Sequence, residues 1–131
     1  MPRAVIALAL TGLMVLPAAA VAHPATINAK AKQTSFTRLP NGIKFTETLR
    51  ARKKVIGHDA VTCIGAAIST CTGRFTFKHG TVRVKGRFDQ GKTVNTIKII
   101  GGGGRYEGAG GKLTLKRTGR TSFDETLAFT Q

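Results

Sequence analysis

Apolar and polar residues alternate with a period of two through most of this chain, and helical periodicity is absent beyond the first two dozen residues. Residues 43–54, IKFTETLRARKK, show the pattern best. Ile43, Phe45, Glu47, Leu49 and Ala51 fall on one face, and Lys44, Thr46, Thr48, Arg50, Arg52 and Lys54 on the other. A strand with one apolar and one charged face is half buried. The arrangement recurs with Phe75 and Phe77 against Arg74, Thr76 and Lys78, and with Val82, Val84 and Phe88 against Arg83, Lys85 and Arg87. Leu113 and Leu115 oppose Lys112, Thr114 and Lys116, while Phe123, Leu127 and Phe129 oppose Asp124, Thr126 and Thr130. Turn formers separate these runs. Pro40 fixes its own φ, and Asn41-Gly42 accept the positive φ of tight hairpins. The pattern predicts strands over 26–38, 43–54, 59–65, 69–78, 81–89, 93–100, 112–118 and 121–130. Eight short antiparallel strands with short turns make an all-β fold, either a closed antiparallel eight-stranded barrel or a small sandwich. Closure is favoured because it leaves no sheet edge.

The opening residues, MPRAVIALALTGLMVLPAAAVA, depart from this pattern. Arg3 precedes an apolar stretch from Ala4 to Leu16, which Pro17 ends and a small-residue tail follows. The stretch is too short for a finished membrane helix, and it reads as a signal peptide over 1–22 with cleavage after Ala22. The expected product is a single β-barrel domain, 23–131, secreted into an extracellular setting, with no transmembrane segment. Export bears on Cys63 and Cys71, the two cysteines of the chain, because exported disulfides persist and two cysteines allow one pairing. They are expected to bond. A redox pair usually has C-x-x-C spacing, and His58 and Asp59 offer too few ligands nearby for a metal.

Twenty-one Lys and Arg against six Asp and Glu give a formal charge of +15, of which only Arg3 leaves with the leader. Such a charge concerns solubility and partners rather than fold. The basic side chains recur on polar faces, which predicts attraction to an anionic polymer or lipid surface. Nucleic acid would feel the same nonspecific pull. Stacking platforms for single strands are scarce, with seven Phe mostly placed inward, one Tyr and no Trp, so no specific nucleic-acid binding is expected.

Residues 99–117, IIGGGGRYEGAGGKLTLKR, concentrate seven glycines. A phosphate cradle sits between a strand and a helix and ends in Lys-Ser/Thr, whereas Lys112 is followed by Leu113 and a strand pattern. A linker needs a second domain to reach. What remains is a tight bend, or a strand approaching another backbone closely, with Tyr106 able to cover it. The order IxGGxGRYxGAxGxxT at 99–114, with VKGRFDQG at 84–91 and GHDAVTC at 57–63, resembles the allene oxide cyclase-like and dirigent-like barrel proteins, in particular small secreted bacterial members. The resemblance spans residues 33–131 and implies an antiparallel eight-stranded barrel, assembled as a homo-oligomer in plant relatives. Gly103 replaces a threonine and Gly110 an arginine of the family pattern, so two polar side chains are missing from the loop. The plant activities, cyclisation of an allene oxide or steering of phenoxyl radical coupling, depend on residues outside this motif.

Candidate chemistry lies where polar residues interrupt apolar rows. Glu47 shares a face with Ile43, Phe45 and Leu49, and Glu125 shares one with Phe123, Leu127 and Phe129. Both carboxylates are expected to point inward. There they serve as general acid and base or hold a cationic or hydroxylated ligand, unless each sits at a wet barrel mouth or faces an arginine. Arg105 and Tyr106 form a second candidate, a surface pair that binds ligand, the alternative being that Tyr106 only covers the bend. His58 and Asp59 are adjacent in a strand and face opposite ways, so they make no base-and-orienter pair. His79 lies at a turn. No metal and no cofactor are expected. The sequence points first to a secreted cationic barrel that binds an anionic envelope surface or a small amphipathic ligand without catalysis. The alternative is an isomerase, cyclase or coupling-control (dirigent-type) enzyme acting in the barrel interior.

Overall fold

The computed structural model describes residues 25–130, which form eight antiparallel strands. These are β1 (Thr26–Leu39), β2 (Gly42–Ala51), β3 (Lys54–Gly65), β4 (Ile68–Phe77), β5 (Gly80–Asp89), β6 (Val94–Gly104), β7 (Gly110–Gly119) and β8 (Ser122–Thr130). Each pairs with its neighbours in sequence, and β1 pairs with β8 from Thr26↔Ala128 to Lys32↔Ser122, which closes the sheet into a barrel. The sandwich alternative falls. The expected signal peptide, residues 1–22, lies outside the described residues. Among the described residues no helix is long and apolar enough to cross a membrane.

The largest departures from the expected strand boundaries have identifiable reasons. β2 ends at Ala51 because Arg52 and Lys53 adopt left-handed conformations, with φ of 53° and 68°. Such a turn usually carries glycine or asparagine, and here nothing in the sequence marks it. β3 therefore starts at Lys54, five residues before the expected strand. β6 likewise runs on through the glycines to Gly104, pairing Gly101–Gly104 with β5 from Arg83 to Gly80. Of the two readings of the glycine run, close backbone approach is the one found at Gly102, where an added Cβ would strike the carbonyls of Thr81 and Tyr106. The bend itself follows at residues 105–109.

The barrel has unlike ends. Leu49, Phe75, Phe77, Val82, Leu113 and Leu127 pack one half of the interior. Tyr106 folds in from the 105–109 bend and seals that end, its ring 5.5 Å from Phe129 and 5.8 Å from Phe77. The turns at 52–53 and 78–79 and the start of β1 lie at this closed end. The turns at 40–41, 66–67, 90–93 and 120–121 surround the other end, where the interior is open. Cys63 on β3 and Cys71 on β4 stand directly opposite near this opening and are bonded as expected, with S–S 2.01 Å. Their Cα atoms are 4.0 Å apart, under the usual 4.4–6.8 Å for disulfides. The pair occupies one rung of an antiparallel ladder, where narrow pairs approach to about 4.5 Å.

Candidate functional site

A cavity of about 230 Å3 enters the barrel from the open end. Phe45, Val61, Phe75, Val84, Ile97 and Leu113 supply much of its apolar wall. At its inner end stand three carboxyl groups, Glu47, Asp59 and Glu125, with exposures of 3%, 3% and 1%. Their placement follows from the ladder. Glu47 on β2 lies directly opposite Asp59 on β3, and both point inward from the same rung. Glu125 on β8 reaches the group from the far side of β1, whose inward residues there are Ala29 and Ala31. Those two small side chains leave room for the acids to converge. One oxygen from each of the three lies within 4.8 Å of the others.

Arg117 and Arg120 line the same cavity, but neither forms an ion pair with the group among the described residues. The ion pair found among the described residues joins Lys30 and Asp124 on the outer surface at 3.2 Å. Neither oxygen of Asp59 and neither oxygen of Glu125 has a hydrogen-bond partner outside the three acids among the described residues. Burying a charged carboxylate without a partner is costly, and the group responds by holding its proton. Burial, reinforced by the nearby Glu47 and Glu125, pushes Asp59 up to about 10. Burial and the neighbouring Glu47 hold Glu125 well above the ordinary carboxylate range. Glu47 is raised as well, by burial, with its interactions with Asp59 and Glu125 partly offsetting the rise. At neutral pH the three therefore present O–H donors beside carboxyl acceptors, sharing protons as one unit. Such a set can donate to a carbonyl or ether oxygen and accept from a hydroxyl. A hard cation such as calcium would instead need ionised oxygens at about 2.3–2.6 Å, against the burial that favours the neutral forms.

Asp59 belongs to the site and the sequence reading left it out. The signal was available, because Asp59, Val61 and Cys63 alternate inward in one row. On sequence, Asp59 is weighed only beside His58, which faces the opposite way, and the expected β3 begins only at 59. His58 itself is exposed and points away. Arg105 and Tyr106, expected as a surface pair or with Tyr106 covering the bend, are placed differently from one another. Arg105 is exposed on the closed-end bend, whereas Tyr106 is buried, 5% exposed, among the aromatic rings that seal the barrel. Gly80 of β5 leaves the space for the ring, since an added Cβ there would lie 3.0 Å from Tyr106 Cδ2. Neither residue lines the cavity.

A scan against protein-family models finds no match, and neither does a search of curated proteins. Solved structures do match. A pyocyanin demethylase is similar over 80% of this chain and 99% of its own, with TM-score 0.72 and 18% identity. A nonspecific heme-binding cyclase of neoabyssomicin biosynthesis matches over 81% of this chain, with TM-score 0.68 and 14% identity. The Diels-Alderase AbmU from Streptomyces koyangensis matches over 81%, with TM-score 0.66 and 16% identity. This chain spans 65% and 64% of those two proteins' lengths. The likeness is one of fold, the eight-stranded antiparallel barrel, which is also the level at which the resemblance to the allene oxide cyclase-like and dirigent-like proteins is met.

Proposed function

We propose that the protein is an enzyme of the isomerase or cyclase type that takes a small, largely apolar molecule into the barrel and promotes its rearrangement through the carboxyl cluster. The observation that carries this reading is the site itself: three buried carboxyl groups converge without other partners at the inner end of an open apolar cavity. A barrel serving only as a charged surface has no use for such a costly arrangement. The fold neighbours described as a demethylase, a cyclase and a Diels-Alderase favour the same side. This moves the reading away from a noncatalytic binder.

A substrate oxygen within about 2.6–3.2 Å of a protonated Asp59 or Glu125 would accept its hydrogen bond, and negative charge developing there would be stabilised in a site that excludes water. The remaining carboxyl oxygens can receive a proton released elsewhere on the substrate. An engineered apolar cavity of about 150 Å3 holds benzene, so 230 Å3 suits a ligand of about one to two rings. The proposed setting is extracellular, on the strength of the leader at 1–22 and the disulfide.

Native mass spectrometry of the protein recovered from its own culture medium is expected to show a retained molecule of that size. Closely related analogues, incubated with fresh protein, are expected to give isomers of equal mass. Asp59→Asn and Glu125→Gln keep the shape of each side chain and are expected to slow conversion by roughly a hundredfold or more while ligand still binds. Ligands that bind and return unchanged would restore the noncatalytic reading. A barrel that binds nothing refutes the cavity as a site.

A further inference from the structure

We infer that the open end of the barrel is a docking face for an anionic lipid surface, with the cavity mouth turned toward the bilayer. This does not depend on catalysis. Six large apolar side chains are exposed among the described residues, and four of them, Phe36, Ile64, Ile68 and Val94, stand at the open end, each 42–48% exposed. Phe36 lies three residues before the end of β1, Ile64 and Ile68 flank the 66–67 turn, and Val94 begins β6. Coming from β1, β3, β4 and β6, they are spread around the opening instead of forming a patch on one wall. Of the other two, Val55 is beside the 52–53 turn at the closed end and Ile100 is on the barrel wall. Single exposed apolar residues need no explanation, but a ring of them around the mouth of an apolar cavity marks an interaction site.

Charge identifies the occupant. Arg38, Lys92, Arg117 and Arg120 stand at the same end as the apolar ring. The Arg38 guanidinium lies 5.9 Å from the Phe36 ring centre, and that of Arg117 lies 5.3 Å from the Phe123 ring centre. The acids toward this end are already engaged, Asp89 accepting from the Gly91 amide at 2.8 Å and Asp124 paired with Lys30. A second copy of a chain with formal charge +15 would meet like charge. Apolar tips inserted at the acyl boundary, with guanidinium groups at the phosphates above them, satisfy both features together. Cations also occupy the closed end, at Arg52, Lys53 and Lys54, so charge alone would admit either end. The apolar ring selects the open one. A water-shy ligand could then pass between bilayer and cavity without crossing water.

The chain contains no tryptophan, so one introduced tryptophan reports its own surroundings. Ile68→Trp, Val94→Trp and, at the closed end, Val55→Trp are to be mixed with vesicles of phosphatidylglycerol and phosphatidylcholine, or of phosphatidylcholine alone, with brominated lipid as quencher. At about fivefold for each cation near the surface, four cations predict partitioning more than a hundredfold stronger onto the anionic vesicles. Ile68→Trp and Val94→Trp are expected to shift to the blue and be quenched, while Val55→Trp keeps its emission in buffer. Combining Ile64→Ser with Ile68→Ser is expected to cut partitioning about tenfold with the circular dichroism unchanged, since both side chains are exposed. Quenching of Val55→Trp in place of the other two overturns the inference, because it places the closed end, where β1 starts, on the membrane. Binding that leaves all three emissions unchanged reduces the effect to surface charge and also overturns it. So does equal binding to neutral vesicles, or retention on dextran sulfate without vesicle binding, which makes a soluble polymer the partner.

Discussion

Replacing Asp59 by Asn is expected to stabilise the barrel at neutral and alkaline pH and to flatten its pH dependence. In the folded protein Asp59 titrates at about 10, against an ordinary value of 3.8. Between those values the folded chain holds a proton that the unfolded chain releases. Raising the pH therefore favours unfolding, by about 1.36 kcal/mol per pH unit for each proton held. From pH 5 to pH 7 that single proton removes about 2.7 kcal/mol of stability. With a urea dependence of about 2 kcal/mol per molar, the unfolding midpoint falls by about 1.4 M. Glu125, raised in the same direction, adds to the slope, so wild type should lose more than this. Asn has no proton to release, and the Asp59→Asn curve should meet the wild type near pH 4 and lie increasingly above it as pH rises. Urea unfolding followed by circular dichroism between about pH 5 and 8, with the disulfide intact, measures both slopes. A wild-type midpoint that stays level or climbs over that range would show that the cluster is ionised in the folded barrel, and an Asp59→Asn curve parallel to a falling wild type would show that Asp59 is not the group that holds the proton.

Two further outcomes test the frame around the site. Converting Cys63 and Cys71 together to serine is expected to cost about 2–3 kcal/mol in the same urea assay, the loop-closure value for so short a loop, and an unchanged midpoint would mean that the bond adds nothing. Gly111→Ala places a Cβ against the Ala128 carbonyl at a φ of 129° and is expected to lower the melting temperature severely. Gly108→Ala, at a φ of 75° with nothing within 4 Å of the new Cβ, should cost only about 1 kcal/mol. Equal losses would contradict the close approach of β7 to β8.

Glu47 and Glu125 were legible as inward residues because each interrupts an otherwise apolar row with a strict period of two. The same alternation yields all eight strands, since each buries one face and wets the other. Asp59 escaped because its strand begins at a turn built from Arg52 and Lys53, whose left-handed φ angles are held by the surrounding ladder and not by residue preference. The bending point in the glycine run was hidden for a related reason. Glycines permit both a bend and a close-packed strand, and only the pairing of Gly101–Gly104 with β5 distinguishes them. The convergence of Glu125 with the Glu47–Asp59 rung depends on β8 meeting β1. No local pattern encodes that meeting, which follows from how far the sheet curls.

The β1–β8 seam also orders events during folding. Glu47 and Asp59 come face to face as soon as the β2–β3 hairpin forms, a local step between strands joined by two residues. Glu125 arrives only when β8 zips onto β1, joining partners as far apart in the chain as Asn28 and Thr126, 98 residues. Contacts of such separation are slow to form, and until they do the nascent sheet shows two bare edges, β1 and β8, to other chains. Completion of the third acid and removal of the sticky edges are thus one event. A misfolded or prematurely halted chain has neither a site nor protection from aggregation, and any factor that hastens the seam delivers both at once.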